Sequence, residues 1–184
     1  MNSRAPGADY DLPDDLEFVV RPVAVVRSPH TYHVGTPRQP RTGGDGRDDA
    51  RPGAIVVKQG YQNLLKDLDG FSHVWVLAWM HHAKGWNHTV VPPRDTERRG
   101  LFATRAPHRP NPIALSVVEI LRIDKRVIHI GAHDLHEGTP VLDLKPYVAY
   151  ADSIADARCG WIDALRAPGP DHRDWDGRPY GRDG

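Results

Sequence analysis

The chain holds a single cysteine, Cys159, among 184 residues. One cysteine cannot form an internal bridge, so a disulfide-stapled secreted scaffold is excluded and a reducing cytoplasm is the expected compartment. No apolar run approaches the roughly 20 residues of a membrane span, and no membrane partner is expected. The opening stretch, Met1 to Asp15, is polar and acidic, so no signal peptide is read there. Net charge is also missing, because Lys plus Arg and Asp plus Glu cancel at 24 each. A strongly basic field, the usual mark of a nucleic-acid binder, is therefore absent. No HExxH and no CxxC occurs, and no metal site is expected. Gly43-Gly44-Asp45-Gly46 follows no strand, so the Gly-rich turn of a dinucleotide fold is not read there, and repeated strand–helix alternation is lacking.

What is present suits one domain. A chain of this length buries roughly 70% of its unfolded surface and needs no metal or bridge to fold. The cations are mostly arginine, the side chain suited to phosphates and planar groups. Arg94, Arg98, Arg99, Arg105 and Arg109 cluster.

Strand-like runs cover Glu17 to Arg27 (with Pro22 marking an edge or bulge), Ala54 to Lys58, Phe71 to Met80 and Val141 to Val148. Pro112 to Ile123 and Arg126 to Gly131 predict a hairpin across Asp124-Lys125. Phe71, His73, Trp75, Leu77 and Trp79 share one strand face, and Phe71 to Met80 is apolar on both faces. Helical spacing of Tyr61, Leu64, Leu65 and Leu68 predicts a helix over Gly60 to Leu68. A second is expected within Ser153 to Leu165, interrupted by Gly160. The fold class expected is mainly β, a small closed or nearly closed barrel with one or two short helices and no Rossmann sheet. Residues 1–15 read as a disordered segment, 16–166 as the barrel domain and 167–184 as a flexible tail; Arg41 to Gly53 reads as a long charged loop.

Four clusters carry chemistry. In Gly35-Thr36-Pro37-Arg38-Gln39-Pro40, two prolines fix an extended segment whose Arg38 and Gln39 can meet a ligand, although an ordinary surface loop has the same make-up. His81-His82 closes the Phe71–Met80 strand, where binding groups gather. Phe102 to Pro112 (FATRAPHRPNP) has three prolines in six residues, forbidding a helix and a central strand. It still presents Arg105, His108, Arg109 and Asn111 on a stiff backbone, as carboxylate or base-edge recognition requires. Asp134-Leu135-His136-Glu137-Gly138 forms a tight turn whose acids suit a ribose hydroxyl or an ammonium, and Asp143 and Lys145 beyond it are placed to pair.

Taken together, "PRQP", "DGFSHVWVL", "FATRAPHRPNPIALSVVEI", "DLHEGTPVLDLKPYVAYADS" and "GW" resemble the tRNA N6-threonylcarbamoyladenosine methyltransferases of the TsaA-like family, from Val23 to Trp161. The resemblance implies a β-barrel N-methyltransferase that uses S-adenosyl-L-methionine bound near a homodimer interface, with tRNA as partner, the acceptor being N6 of the modified adenosine next to the anticodon. It implies cofactor contacts from Pro37, Arg38, Gln39, His81, His82, Arg105, Leu115, Asp134, Leu135, His136 and Glu137. A small-molecule acceptor, or a non-catalytic module that only binds the cofactor, are the alternatives. The acceptor nitrogen belongs to a urea and is a poor nucleophile until its proton leaves or the urea is polarised. Arg105 and Arg109 are candidates to stabilise charge there, and His108 or Tyr147 to take the proton.

Overall fold

The computed structural model describes Pro13 and residues 16–31, 51–93 and 95–164. The expected segments 1–15 and 167–184 and the loop 41–50 therefore lie outside the described residues, apart from Pro13. Among the described residues eight strands form: β1 (Ala24–Arg27), β2 (Gly53–Val57), β3 (His73–Trp79), β4 (Thr89–Val90), β5 (Arg99–Gly100), β6 (Ile113–Asp124), β7 (Val127–Ile130) and β8 (Pro140–Pro146). Six of them close a barrel in the order β1-β2-β7-β6-β3-β8, with β8 returning to β1. Every pairing in it is antiparallel. The mainly-β barrel expected from the sequence is thus the fold.

Alternation fixes which face is inside. In β3, Val74, Val76 and Ala78 are fully buried, while His73, Trp75, Leu77 and Trp79 point out. The same period places Val26, Ile55, Ile128, Ile130 and Val141 in the barrel core. Each such side chain contributes roughly 1.5–3 kcal/mol by leaving water. The β6–β7 hairpin turns at Lys125, which takes a left-handed φ of 54°, at the expected Asp124-Lys125 position.

Three local expectations change. The first strand begins only at Ala24, because Pro22 lacks an N–H and the chain before it, with Phe18 and Val19 more than three-quarters exposed, pairs with nothing in the barrel. The Gly60–Leu68 helix is instead two short 3-10 turns, Gln62–Leu65 and Leu68–Gly70. Asp67 sits left-handed between them at φ 66°, and Leu64 is exposed, so its apolar spacing is not a buried stripe. The later helix forms earlier, as α1 (Ala149–Asp152), with a 3-10 turn at Gly160–Ile162.

Antiparallel register sorts the loops to two ends. β3 exits where β6 enters, at Trp79↔Ile113, and β1 exits where β8 enters, at Val25↔Pro140. Hence the segments after β1, before β2, after β3, before β6, and from β7 to β8 all gather at one end. Tyr147 follows β8 at the other end, where its amide donates to His73 O at 3.1 Å.

Candidate functional site

At the end where β3 exits, His81 and His82 leave the sheet with ring centroids 3.8 Å apart, and His136 approaches His82 at 5.8 Å. Two strand-end loops, distant in sequence, thus bring three imidazoles together. Burial first, and then the neighbouring His82, hold His81 below the usual histidine pKa. Its ring is therefore neutral near pH 7. Nδ1 of His81 is buried and has no hydrogen-bond partner among the described residues.

The β7–β8 turn is tied down at each residue. Ser116, an inward-facing residue of β6, donates its hydroxyl to Asp134 Oδ1 at 2.8 Å. Burial raises the Asp134 pKa, while the Ser116 hydrogen bond and the Arg105 charge oppose the rise. Asp134 and Arg105, 29 positions apart in the chain, are therefore electrostatic neighbours. Glu137 pairs through Oε1 with Arg27 at 2.9 Å and accepts the Ser28 amide on Oε2 at 2.6 Å. The Glu137 amide donates to His30 O and that of Gly138 to Val26 O. Gly138 takes φ 74°, a conformation few other residues tolerate. Leu135 is buried beneath the turn.

The stiff segment between β5 and β6 lies at the same end. His108 Nδ1 lies 2.9 Å from Lys84 O and 3.2 Å from its amide. Donation to the carbonyl, the shorter contact, belongs to the tautomer whose lone pair is on Nε2. Arg109 donates Nη1 to Thr104 O at 3.0 Å and Leu101 O at 3.3 Å, and its guanidinium lies 5.4 Å from the Phe102 ring centre. It thereby staples the turn that presents Phe102, which is 81% exposed.

The remaining candidate residues from the sequence fall elsewhere. Leu115 lies on the outer barrel face, opposite Leu77 and half exposed. Tyr147 packs edge-on to His73 and near Trp75 at the far end of β8. The strand is seven residues long, about 20 Å at roughly 3.3 Å per residue. Within one protomer Tyr147 is thus not brought to the histidines. Pro37, Arg38 and Gln39 lie outside the described residues. Asp143 and Lys145 do pair, at 2.8 Å. His88 packs edge-on to Trp86, ring centroids 5.0 Å apart. A cleft of about 380 Å³ beside the β6–β7 hairpin, lined by Gln62, Leu65, Asp67, Ile123 and Lys125, opens at the end opposite the histidines.

Sequence reasoning does not single out Ser116, Ser28, His30 or His133. The signal available for Ser116 is a hydroxyl at an inward register between apolar neighbours. For His133 it is a histidine just beyond an apolar strand.

Comparison with known proteins bears on what this end of the barrel does. A family model described as the tRNA-methyltransferase O N-terminal domain matches residues 25–153. The tRNA (adenine(37)-N6)-methyltransferase of Escherichia coli K12 is 34% identical over 82% of this chain and 66% of its own length. A probable S-adenosyl-L-methionine-binding protein of Archaeoglobus fulgidus is 40% identical over 78% of this chain and 38% of its own. The crystal structure of TrmO from Pseudomonas aeruginosa superposes with a TM-score of 0.64 at 36% identity, covering 79% of this chain and 62% of that one. The chain thus spans between about two-fifths and two-thirds of these relatives.

Proposed function

The chain belongs to the tRNA-methyltransferase O N-terminal-domain family, and on that premise we propose that it is an S-adenosyl-L-methionine-dependent methyltransferase acting on N6 of threonylcarbamoyladenosine in tRNA. The observation that carries the reading is the convergence at one barrel end of the His81–His82–His136 cluster, the half-buried Asp134 carboxyl within electrostatic reach of Arg105, and the tethered Glu137. Relatives named as tRNA adenine-N6 methyltransferases support the choice of acceptor.

The donor set fits such a cofactor. Adenine offers a flat face and edge nitrogens, for which the clustered imidazole rings and the buried His81 Nδ1 are suitable. The methionine end has an ammonium and a carboxylate, for which Asp134 and the Arg105 guanidinium are matched in sign. When bound, the cofactor supplies an electrophilic methyl on a sulfonium. Everything else falls to this chain. The prolines around Arg105–Asn111 hold the acceptor-side groups in place before the acceptor arrives, which lowers the entropy lost on alignment. His108, oriented by Lys84 O, is the base assigned to the N6 proton through Nε2. Arg109, engaged with the Leu101 and Thr104 carbonyls, keeps Phe102 outward as a stacking surface for a base.

The functional unit is proposed to be a C2 homodimer. Outside the barrel, Leu77 faces Leu115 and Trp79 faces Ile113, and Trp79, Ile113 and Leu115 are 38%, 44% and 58% exposed. A contiguous apolar row of this kind is what a second copy of the same face covers.

Incubation with a labelled methyl donor and total tRNA, followed by nucleoside mass spectrometry, tests the acceptor. Methylated threonylcarbamoyladenosine is the expected product. Label on a metabolite with none on tRNA overturns the acceptor, and binding without transfer to either overturns the enzyme reading.

A further inference from the structure

The turn that holds Asp134 to Glu137 is also held from within, by a side chain that the proposed chemistry does not use. His133 is completely buried at the exit of β7. Its Nδ1 accepts the amide of Leu135 at 3.2 Å. Leu135 is itself only 4% exposed, so that amide cannot turn to water instead. An unmet buried donor is costly, so this one contact constrains the backbone between Asp134 and His136.

The ring is held in a slot as well as bonded. A Cβ placed on Gly53 would lie 2.4 Å from His133 Nε2 and 2.9 Å from Arg27 O. Strand β2 therefore begins on a residue without a side chain because an imidazole occupies that space. The His30 ring meets His133 edge-on from another direction, centroids 5.2 Å apart. Nε2 has no hydrogen-bond partner among the described residues. The two ends of the ring thus have separate tasks: Nδ1 bonds and the Nε2 side only fills.

We propose that His133 is a positioning residue of the Asp134–Glu137 turn, fixing it through the Nδ1 acceptor while the ring sits in the slot over Gly53. What the turn binds rests on the methyl-donor reading; how the turn is held does not. His133 touches no reacting atom and acts only through Leu135 and its neighbours.

The separate tasks of the two nitrogens supply the test. Asparagine places an amide oxygen near the Nδ1 position, glutamine near the Nε2 position, and leucine supplies no acceptor. In the full chain, hydrogen exchange of the 134–139 segment is measured by mass spectrometry, with S-adenosylmethionine affinity by calorimetry and thermal melting as a check on folding. His133→Leu and His133→Gln are expected to speed exchange across the turn and weaken affinity by about 5- to 150-fold, with melting still cooperative. His133→Asn is expected to stay within about threefold of the parent on both. Should the leucine variant fail to fold, the Asn–Gln contrast carries the same test. Equal exchange in the Asn and Gln variants, or no change in either relative to the parent, overturns the positioning role. A parent chain that binds no S-adenosylmethionine overturns the methyl-donor reading alone, and the exchange contrast still decides His133.

Discussion

Asp95 Oδ2 accepts a hydrogen bond from Arg99 Nε at 2.6 Å, while Oδ1 of the same carboxylate accepts the amides of Thr96 and Glu97. The Arg99 side chain holds the Asp95 carboxyl below the usual carboxylate pKa. The guanidinium also reaches Glu97 at 3.0 Å and faces the Trp161 ring at 5.6 Å. Trp161 in turn donates its indole N–H to Ala103 O at 2.9 Å. Arg99 thus organises the approach to β5 and docks the last described turn onto the segment that presents Phe102.

That commitment separates two arginines adjacent in sequence. Among the described residues, Arg98 bonds only to Thr89, through its hydroxyl and carbonyl, in an exposed position. If tRNA is the substrate, Arg98→Ala should flatten the log–log dependence of tRNA affinity on salt by about 0.7–0.9, the share of a single neutralised phosphate. Arg99→Ala should instead lower the melting temperature, since Asp95 and Glu97 are then without their shared cation. Filter binding between about 50 and 200 mM salt, a range over which phosphate contacts are readily separated, and thermal melting distinguish the two. A slope unchanged in Arg98→Ala removes that residue from the tRNA surface.

Arg105→Ala should weaken S-adenosylmethionine binding by about 10- to 150-fold, the effect of removing a charge-assisted hydrogen bond. Asp134→Ala should do likewise and also strand the Ser116 hydroxyl. Calorimetry reads both. Unchanged affinity in Arg105→Ala, together with abolished methyl transfer, would move that side chain to the acceptor.

How far the sequence alone reaches can be judged at particular residues. The apolar run His73–Trp79 announces the strand but not its inner face, because it is apolar on both sides and only closure of the barrel buries Val74, Val76 and Ala78. The Asp124-Lys125 turn is legible because two apolar runs need a connector. Leu64 misleads, since leucines spaced for a helix are split by the left-handed Asp67, whose φ no composition reveals. In the site, His81, His82 and His136 belong to two separate motifs and do meet. Tyr147 is a candidate by motif alone, yet register sends it to the other end of β8. Ser116 and His133 are silent in the sequence because their importance lies in what stands opposite them, which only the closed barrel brings together.

The outer face of β3 and β6 gives a prediction about assembly. Light scattering at low micromolar concentration should return about twice 20.5 kDa. Leu115→Glu should shift the mass to the monomer while the barrel keeps its melting transition, because the side chain is 58% exposed on the outer barrel face. A charge buried at an interface core without a partner costs several kcal/mol, enough to dissociate most dimers. A parent that is monomeric at these concentrations removes the shared-interface reading.

The last prediction follows from the environment of His133, whose pKa is lowered to about 4 by burial and, secondarily, by His30. Between pH 6.5 and about 4, the unfolded chain takes a proton at this position that the folded chain refuses. The unfolded state then binds more protons, so stability falls as pH falls through that window and is fully retained above it. The loss from this one group is about 2 kcal/mol by about pH 5. His81, also lowered, acts with the same sign, whereas Asp134, raised by burial, acts oppositely above its usual value. Both remain in His133→Asn, which removes the titrating ring and keeps an acceptor near the Nδ1 position. Urea midpoints measured from about pH 7 to about pH 5 should therefore decline more steeply in the parent than in His133→Asn, and the difference between the two curves isolates residue 133. Parallel curves would mean that the imidazole accepts its proton within the fold, and with it that the Leu135 amide does not depend on Nδ1.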